Sequence, residues 1–160
     1  MAVDMFLELE KIEGESLDKE HAKKIDILAW SWGASNSGSA HLQAGAGSGK
    51  ANFQDLSITK YVDKASVALL KHVSDGGHIA SGTLFVRKAG GNPLTYIKIE
   101  MKEILVTSLS TGGSGGEDRL TENVSLNFAE FKLTYTLQEK DGSAGASPDF
   151  GYNIAENTAK

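Results

Sequence analysis

The sequence predicts a mainly β fold: a two-sheet β-barrel with one flanking α-helix and long glycine-rich loops. Apolar and polar residues alternate in most segments, a single segment has helical spacing, and glycine- and serine-rich stretches separate the strand patterns. Because a chain of 160 residues can bury a core without a metal or a disulfide, we expect one domain over residues 1–160.

The predicted strands follow one another along most of the chain. In the first, residues 3–9, apolar side chains lie on one face and Asp4 and Glu8 on the other. Similar alternation predicts strands near residues 25–32, 56–62, 83–88, 95–110 and 123–137. In the last of these the apolar parity changes at Ala129 and Glu130, which predicts a bulge there.

The strand IDILAWSW, at residues 25–32, is apolar on both faces. One face carries Leu28, Trp30 and Trp32. The other carries Ile25, Ile27, Ala29 and Ser31. Two interpretations stay open: a central strand buried on both sides, or a strand with one face in the core and the other against a neighbouring subunit. Trp30 and Trp32 are therefore candidate core or interface residues.

Two glycine-rich segments, residues 33–50 and 110–118, are predicted to be flexible loops. Within the first, QAGAGSGKANF resembles a phosphate-binding loop, but Ala44 stands where that motif needs glycine and Ala51 where it needs a hydroxyl. Within the second, GGSGG places Ser114 like a hydrolase nucleophile, yet the next strand follows too soon for the helix that such a site needs. Neither motif is supported by its surroundings.

One segment, SVALLKHVSDGG, is predicted to be a helix over about residues 66–75. Ser66 is the expected N-cap, apolar residues recur on one face, and Gly76 is the expected C-terminal stop. The tail, residues 142–160, is small, polar and weakly specified, with DFGYNI as its only candidate strand. We expect the tail to be mobile or to pair late.

Composition argues against several functional classes. The chain has no cysteine, which excludes disulfides, thiol nucleophiles and cysteine metal sites. Its net charge is −5 and its lysines are dispersed, so nucleic acid is not an expected partner. The four histidines lack metal-ligand spacing, no apolar run has the length of a membrane span, and the first residues lack the pattern of a signal peptide. We expect no cofactor, no metal, no catalytic residue and no direct membrane insertion.

Three stretches taken in order carry a resemblance: GES followed by DKEHAKKIDILAWSWGAS, then QDLSITKYVDKAS, then LSTGGSGGEDRLTENVSLNF. Together they resemble the hemolysin-coregulated protein (Hcp) family, the tube subunits of bacterial type VI secretion systems. The resemblance runs from Ala2 to about Gly142. Family members often carry a proline just after the serine that opens the helix, where this chain has Val67.

The resemblance implies a barrel that assembles as a hexameric ring with an open centre. Rings would stack head-to-tail into a tube inside a contractile sheath, with a spike protein of the VgrG type at the tip and small effectors held in the lumen. It also implies that the protein resides in the bacterial cytoplasm before firing. Sheath contraction, rather than a cleaved signal peptide, would then expel it to the extracellular space or a target cell.

On this interpretation, three groups of residues are functional candidates. The candidate ring-stacking loop is Gly45, Ala46, Gly47, Ser48, Gly49 and Lys50. The candidate subunit-interface loop is Gly112, Gly113, Ser114, Gly115, Gly116, Glu117 and Asp118. Ser31, which is small and polar and lies opposite the tryptophans, is a candidate for the lumen wall.

Two alternative functions stay open beside the tube subunit. One is a monomeric β-barrel that carries a small ligand in its own interior. The other is a small hydrolase that uses Lys50 or Ser114.

Overall fold

The structure is a computed structural model that describes residues 3–38, 49–90 and 93–160. Its strands and helix, in chain order, are β1 (Val3–Leu9), β2 (Ile25–Ser31), β3 (Ala34–Asn36), β4 (Ala51–Phe53), β5 (Leu56–Tyr61), α1 (Ala65–Asp75), β6 (His78–Lys88), β7 (Leu94–Thr111), β8 (Thr121–Tyr135), β9 (Asp149–Asn153) and β10 (Thr158–Ala159). No helix within these ranges is both long and apolar enough to cross a membrane.

Six strands close into a barrel. Their order is β8, β5, β2, β1, β6 and β7, and β7 pairs back to β8 to complete the ring of antiparallel strands. Strands β9 and β10 extend the sheet outward from β8, whereas β3 and β4 form a separate two-stranded sheet. The predicted mainly β barrel with one flanking helix is confirmed.

Alternate residues of the barrel strands fill its interior. Leu7, Ile25, Leu56, Leu84 and Leu126 come from five different strands, and each is fully buried. Side chains two positions apart share a face of a strand, so one apolar parity per strand is enough to form the core. Burying a side chain of this size contributes about 1.5–3 kcal/mol.

The helix α1 packs against β7, and its buried residues, Ala65 and Leu69, belong to the hydrophobic core. Ser66 does not act as the predicted N-cap, because it lies within the first turn. Instead, the N–H of Ala65 donates to Asp63 Oδ1 at 2.9 Å, and the N–H of Asp63 donates to Ser66 Oγ at 3.0 Å. Gly76 ends the helix with a φ of 67°, a conformation that favours glycine.

Strand β2 contains one extra residue relative to β5. The register shifts between Ile27 and Ala29, which leaves Leu28 as the bulged residue. Ile27 faces the core before the shift and Trp30 packs against the core after it, while Ala29 and Ser31 are exposed. The expected division of this strand into two apolar faces is therefore wrong, because apolar residues of both parities face a single core.

In β8 the buried side chains change from even-numbered to odd-numbered positions between Phe128 and Phe131, as expected. The predicted bulge at Ala129 and Glu130 is wrong, since the pairing with β7 keeps one register across this level. The unusual backbone lies on the partner strand instead, where Glu103, opposite Ala129, has a φ of 54°. Both strands change their buried parity together, so the register is preserved.

The predicted loops contain more regular structure than the sequence indicated. Strands β3 and β4, which are antiparallel partners, lie within and just after the segment 33–50. Gly45, Ala46, Gly47 and Ser48 lie outside the described residues. Residues 112–120 connect β7 to β8 and are exposed, and β9 in the tail pairs with β8.

Candidate functional site

Six residues on the outward face of β2, β5 and β8 form two rows across the barrel, which we call the neutral grid. One row is Ala29, Thr59 and Asn123, and the other is Ser31, Ser57 and Ser125. With Trp30, Ile58 and Val124 they line a shallow groove of about 370 Å³. All the described residues that line this groove are uncharged at neutral pH.

The β-bulge in β2 and the strand register create the neutral grid. The bulge at Leu28 turns Ser31 outward, and the register pairs Ser31 with Ser57 on the next strand, a spacing of about 4.8 Å. In the other row, Thr59 Oγ1 donates to Asn123 Oδ1 at 2.7 Å. The grid thus offers hydroxyl and amide groups that exchange hydrogen bonds, but no side chain suited to acid–base catalysis at neutral pH.

Aromatic packing lies behind one end of the grid. Trp30 packs on the core, and the Trp32 ring lies 4.8 Å from that of Phe131 in an edge-on arrangement and 6.3 Å from that of Phe53 in a stacked one. Trp32 Nε1 also donates to the carbonyl of Gln54 at 2.9 Å. These contacts fix the β3–β4 hairpin to the barrel.

A buried ion network lies beneath the other end of the grid. Lys60 Nζ donates to Glu122 Oε1 at 2.5 Å and to Asp63 Oδ1 at 2.9 Å. Lys60 and Glu122 are 0% and 1% exposed. Lys60 directly follows Thr59, Glu122 directly precedes Asn123, and the two are cross-strand partners on β5 and β8. The network therefore supports the strand register that positions the grid.

The sequence matches the model of a family described as type VI secretion system effector, Hcp, over residues 6–135. The chain belongs to the Hcp family. Protein Hcp1 of Pseudomonas aeruginosa is 54% identical over 159 residues, which cover 98% of both chains. A solved type six secretion system protein has a TM-score of 0.93 at 30% identity, covering 99% of this chain and 100% of its own. Hcp1 from Salmonella typhimurium has a TM-score of 0.84 at 33% identity, covering all of both chains.

In this Hcp chain, the described part of the candidate ring-stacking loop, Gly49 and Lys50, lies at the loop end of the β3–β4 hairpin, next to the Asn36–Ala51 pair. The carbonyl of Gly49 accepts a hydrogen bond from Asn36 Nδ2 at 2.7 Å, and Lys50 is exposed. Lys50 leads into strand β4, whereas a phosphate-binding loop leads into a helix. The structure therefore does not supply the surroundings that a nucleotide site needs.

The candidate subunit-interface loop, residues 112–118, lies at the opposite end of β5 from the hairpin. Leu120, just after the loop, accepts a backbone hydrogen bond at 2.9 Å from Val62, which follows β5. The backbone carbonyl of Ser114 accepts a hydrogen bond from the N–H of Glu117 in a turn, and the chain then enters strand β8. Because no helix follows Ser114, this loop is not the strand-to-helix turn of a hydrolase nucleophile. The described residues hold no group of three or more potential metal ligands.

Sequence reasoning selected Ser31 but not the residues that surround it. Ser57 and Thr59 alternate with buried apolar residues in LSITKY, and Asn123 and Ser125 do so in NVSLNF. This alternation of small polar side chains is a signal for one uncharged face. The sequence does not show that the three strands are neighbours, which depends on long-range pairing.

Proposed function

We propose that this chain is a non-enzymatic structural subunit of a type VI secretion tube, in which six copies form a ring and rings stack head-to-tail. The neutral grid, with Ser31, is the lumen wall. Membership of the Hcp family supports the role of a tube subunit, and the lack of charged side chains in the grid supports its position on the lumen wall. The chain has 37 charged residues other than histidine, 16 basic and 21 acidic, yet all six grid residues are uncharged.

An uncharged wall suits the transport of varied cargo. A surface rich in one sign of charge attracts some polypeptides and repels others, whereas hydroxyl and amide groups do neither strongly. Small effectors of either net charge would then be held within the lumen. This role needs no cofactor, no nucleic acid and no insertion of the tube subunit into a membrane.

The positions of the two glycine-rich loops support head-to-tail stacking. The loop end of the hairpin, at Gly49 and Lys50, lies beyond one end of β5, and the loop 112–118 lies near its other end. A stacked tube needs two different end surfaces, because each ring contacts the ring above and the ring below through unlike faces. We place Gly45–Lys50 at the axial contact and Gly112–Asp118 at or near subunit boundaries.

The remaining partners follow from this assembly. The sheath would surround the tube, a spike protein of the VgrG type would cap it, and contraction would expel both from the bacterial cytoplasm. Expulsion by contraction requires no cleaved signal peptide.

The mass of the particle in solution, together with particle images, tests the ring. We expect a hexameric mass and annular particles with a central opening. A stable monomer without annular particles under any condition would overturn the proposal and would favour the monomeric ligand carrier.

Cysteine labelling tests the lumen wall, because the chain has no cysteine of its own. In rings, Ser31→Cys should react with a small maleimide but slowly with a bulky polyethylene-glycol maleimide. Lys71→Cys, at an exposed site on α1, is the matched control and should react readily with both. Equal rates with the bulky reagent at both sites would show that Ser31 does not face a confined lumen.

A further inference from the structure

A second buried cluster lies on the other side of the barrel from the neutral grid. Residues 13–24, which connect β1 to β2 and which we call the strap, cover the outward face of β1 and β6. These two strands lie next to each other in the barrel, and neither carries a grid residue. The cluster beneath the strap therefore lies on strands other than those of the grid and of the Lys60–Glu122 pair.

A histidine holds the strap to the barrel. His21 is 6% exposed, and its ring stacks on Phe6 of β1 with 4.5 Å between the ring centroids. The same ring lies 4.8 Å from Phe85 of β6, which is the cross-strand partner of Phe6. Aromatic contacts on two strands thus fix one residue of the strap.

The hydrogen bond of His21 defines its protonation state. Lys24 Nζ lies 3.0 Å from His21 Nδ1, and an ammonium can only donate, so Nδ1 must be the unprotonated acceptor of a neutral ring. Lys24 also lies 4.3 Å above the Phe85 ring and 3.1 Å from Glu8 Oε2. A proton on Nδ1 would convert this hydrogen bond into a contact between two donors that both carry positive charge.

The other charged groups around His21 are paired with one another. Arg87 of β6 is 6% exposed, lies 5.2 Å above the Phe6 ring and donates to Asp4 Oδ2 of β1 at 3.2 Å. It also donates to both carboxylate oxygens of Asp18 in the strap and lies 3.8 Å from Glu20. Because Arg87 engages these carboxylates, they are not free to pair fully with an imidazolium.

We propose that the strap is released in mild acid, when protonation of His21 breaks its hydrogen bond with Lys24, and that release uncovers Phe6 and Phe85 on the outward face of the barrel. This inference does not depend on the proposed ring. Burial, followed by the charges of Lys24 and Arg87, lowers the pKa of His21 below its ordinary value of 6.5 against the opposing effect of Asp18 and Glu20.

The direction of the effect follows from proton linkage. The closed strap binds a proton less readily than the released strap, in which His21 returns to its ordinary pKa. The ratio of released to closed molecules should therefore rise by up to about tenfold per pH unit below 6.5, and level off below the lowered pKa of the closed state.

A spin label on the strap measures this release. The Leu17 side chain is 98% exposed, so a nitroxide on Leu17→Cys reports strap motion without disturbing the core. We expect the mobile fraction of the label to increase as the pH falls, while far-UV circular dichroism and the particle mass stay constant. Titration of the His21 ring by NMR should follow the same curve.

Variants separate protonation from other effects of acid. His21→Phe keeps an aromatic ring between Phe6 and Phe85 but cannot bind a proton, so the label should show no transition in mild acid. His72→Gln, which changes a histidine on α1 whose Nδ1–H donates to the carbonyl oxygen of Ala68 at 2.8 Å, should leave the transition unchanged. A label that stays immobile after His21 has titrated, a transition that persists in His21→Phe, or titration only upon global unfolding would each overturn the proposal.

Discussion

The ammonium of Lys60 and the carboxylate of Glu122 form an ion pair that solvent does not reach. The pair joins adjacent strands, and Asp63 links it to the start of α1. Each charge has been removed from water, so each depends on the other for compensation. This dependence leads to the first prediction.

Replacing Lys60 by methionine should destabilise the fold by about 3–5 kcal/mol, because Glu122 and Asp63 would be left buried without their counter-charge. The measurement is urea unfolding at a fixed protein concentration, since the proposed assembly would itself add apparent stability. Lys71→Met, which removes an exposed ion pair with Asp75, is the control and should change the midpoint little. Equal midpoints for the two variants would contradict a stabilising role for the buried pair.

The ion pair of Asp18 with Arg87 predicts a loss of stability in strong acid. The hydrogen bonds from Arg87 lower the pKa of Asp18 to about 2, from an ordinary value of 3.8. The folded state therefore holds Asp18 ionised where the unfolded state protonates it, and the stabilisation present above 3.8 is lost as the pH falls toward 2. Because the proposed strap release would already separate this pair in the wild type, the test uses His21→Phe, whose strap stays closed in mild acid. Unfolding free energies across this range should fall more steeply for His21→Phe than for the double variant that also carries Asp18→Asn. Identical slopes would show that this pair does not contribute.

The contacts of Trp32 predict two different losses. Trp32→Phe keeps an aromatic ring but removes the hydrogen bond to the Gln54 carbonyl, which should cost about 1 kcal/mol. Trp32→Ala also removes the contacts with Phe53 and Phe131, with a cost toward the lower end of the about 3–5 kcal/mol typical of an aromatic core residue. Hydrogen exchange of β3 and β4 should increase more in the alanine variant. Equal exchange in the two variants would show that the hydrogen bond to the Gln54 carbonyl, and not the aromatic contacts, holds the hairpin on the barrel.

A substitution at Gly49 should impair ring stacking without preventing ring formation. A Cβ at this position would lie 2.5 Å from the backbone nitrogen of Gly38 and 2.6 Å from the carbonyl carbon of Ser37, so Gly49→Ala should displace the loop end of the hairpin. On the proposed axial role of this loop, the variant should form rings but stack poorly in sedimentation and in particle images. Deletion of residues 45–49 should have the same effect.

Val67→Ala, at a residue of α1 that is 77% exposed and lies in neither candidate contact loop, is the control for Gly49→Ala. It should preserve both rings and stacks. If Gly49→Ala instead breaks the rings into monomers, the hairpin lies at the lateral interface rather than the axial one.

In the proposed tube, the net charge of −5 per chain predicts that ring stacking increases with salt concentration. Like-charged rings repel one another, and the screening length falls to about 10 Å at 0.1 M salt. The mean stack length, measured by light scattering, should therefore rise from low to moderate salt. A decrease over that range would indicate that attractive ion pairs between rings dominate.

Much of the barrel can be predicted from alternation, because residues such as Leu7 and Leu126 repeat at the spacing of a strand that is buried on one face. The end of α1 at Gly76 can be predicted as well, since a left-handed terminal residue favours glycine. These features depend on neighbours in the chain. Local physics is enough to specify them.

Features that depend on distant partners could not be predicted. The bulge at Leu28 becomes visible only when β2 is aligned with β5, so the outward position of Ser31 had no complete local signal. Likewise, the sequence predicts Ser66 as an N-cap, whereas its hydroxyl donates to Glu122, which lies 56 residues away. The contacts of His21 with Phe6 and Phe85 also join separate segments, and no sequence motif marks them.

The pairing of β7 with β8 closes the barrel and has a consequence for aggregation. The short strands of the described sheets are β10, with two residues, and β3 and β4, with three residues each. Such short edges give another chain few unpaired backbone groups on which to extend a sheet. In the proposed assembly, contacts between copies of this chain would then depend mainly on side chains. Association can then be tuned or abolished by single substitutions, whereas growth through backbone hydrogen bonds would tolerate almost any sequence.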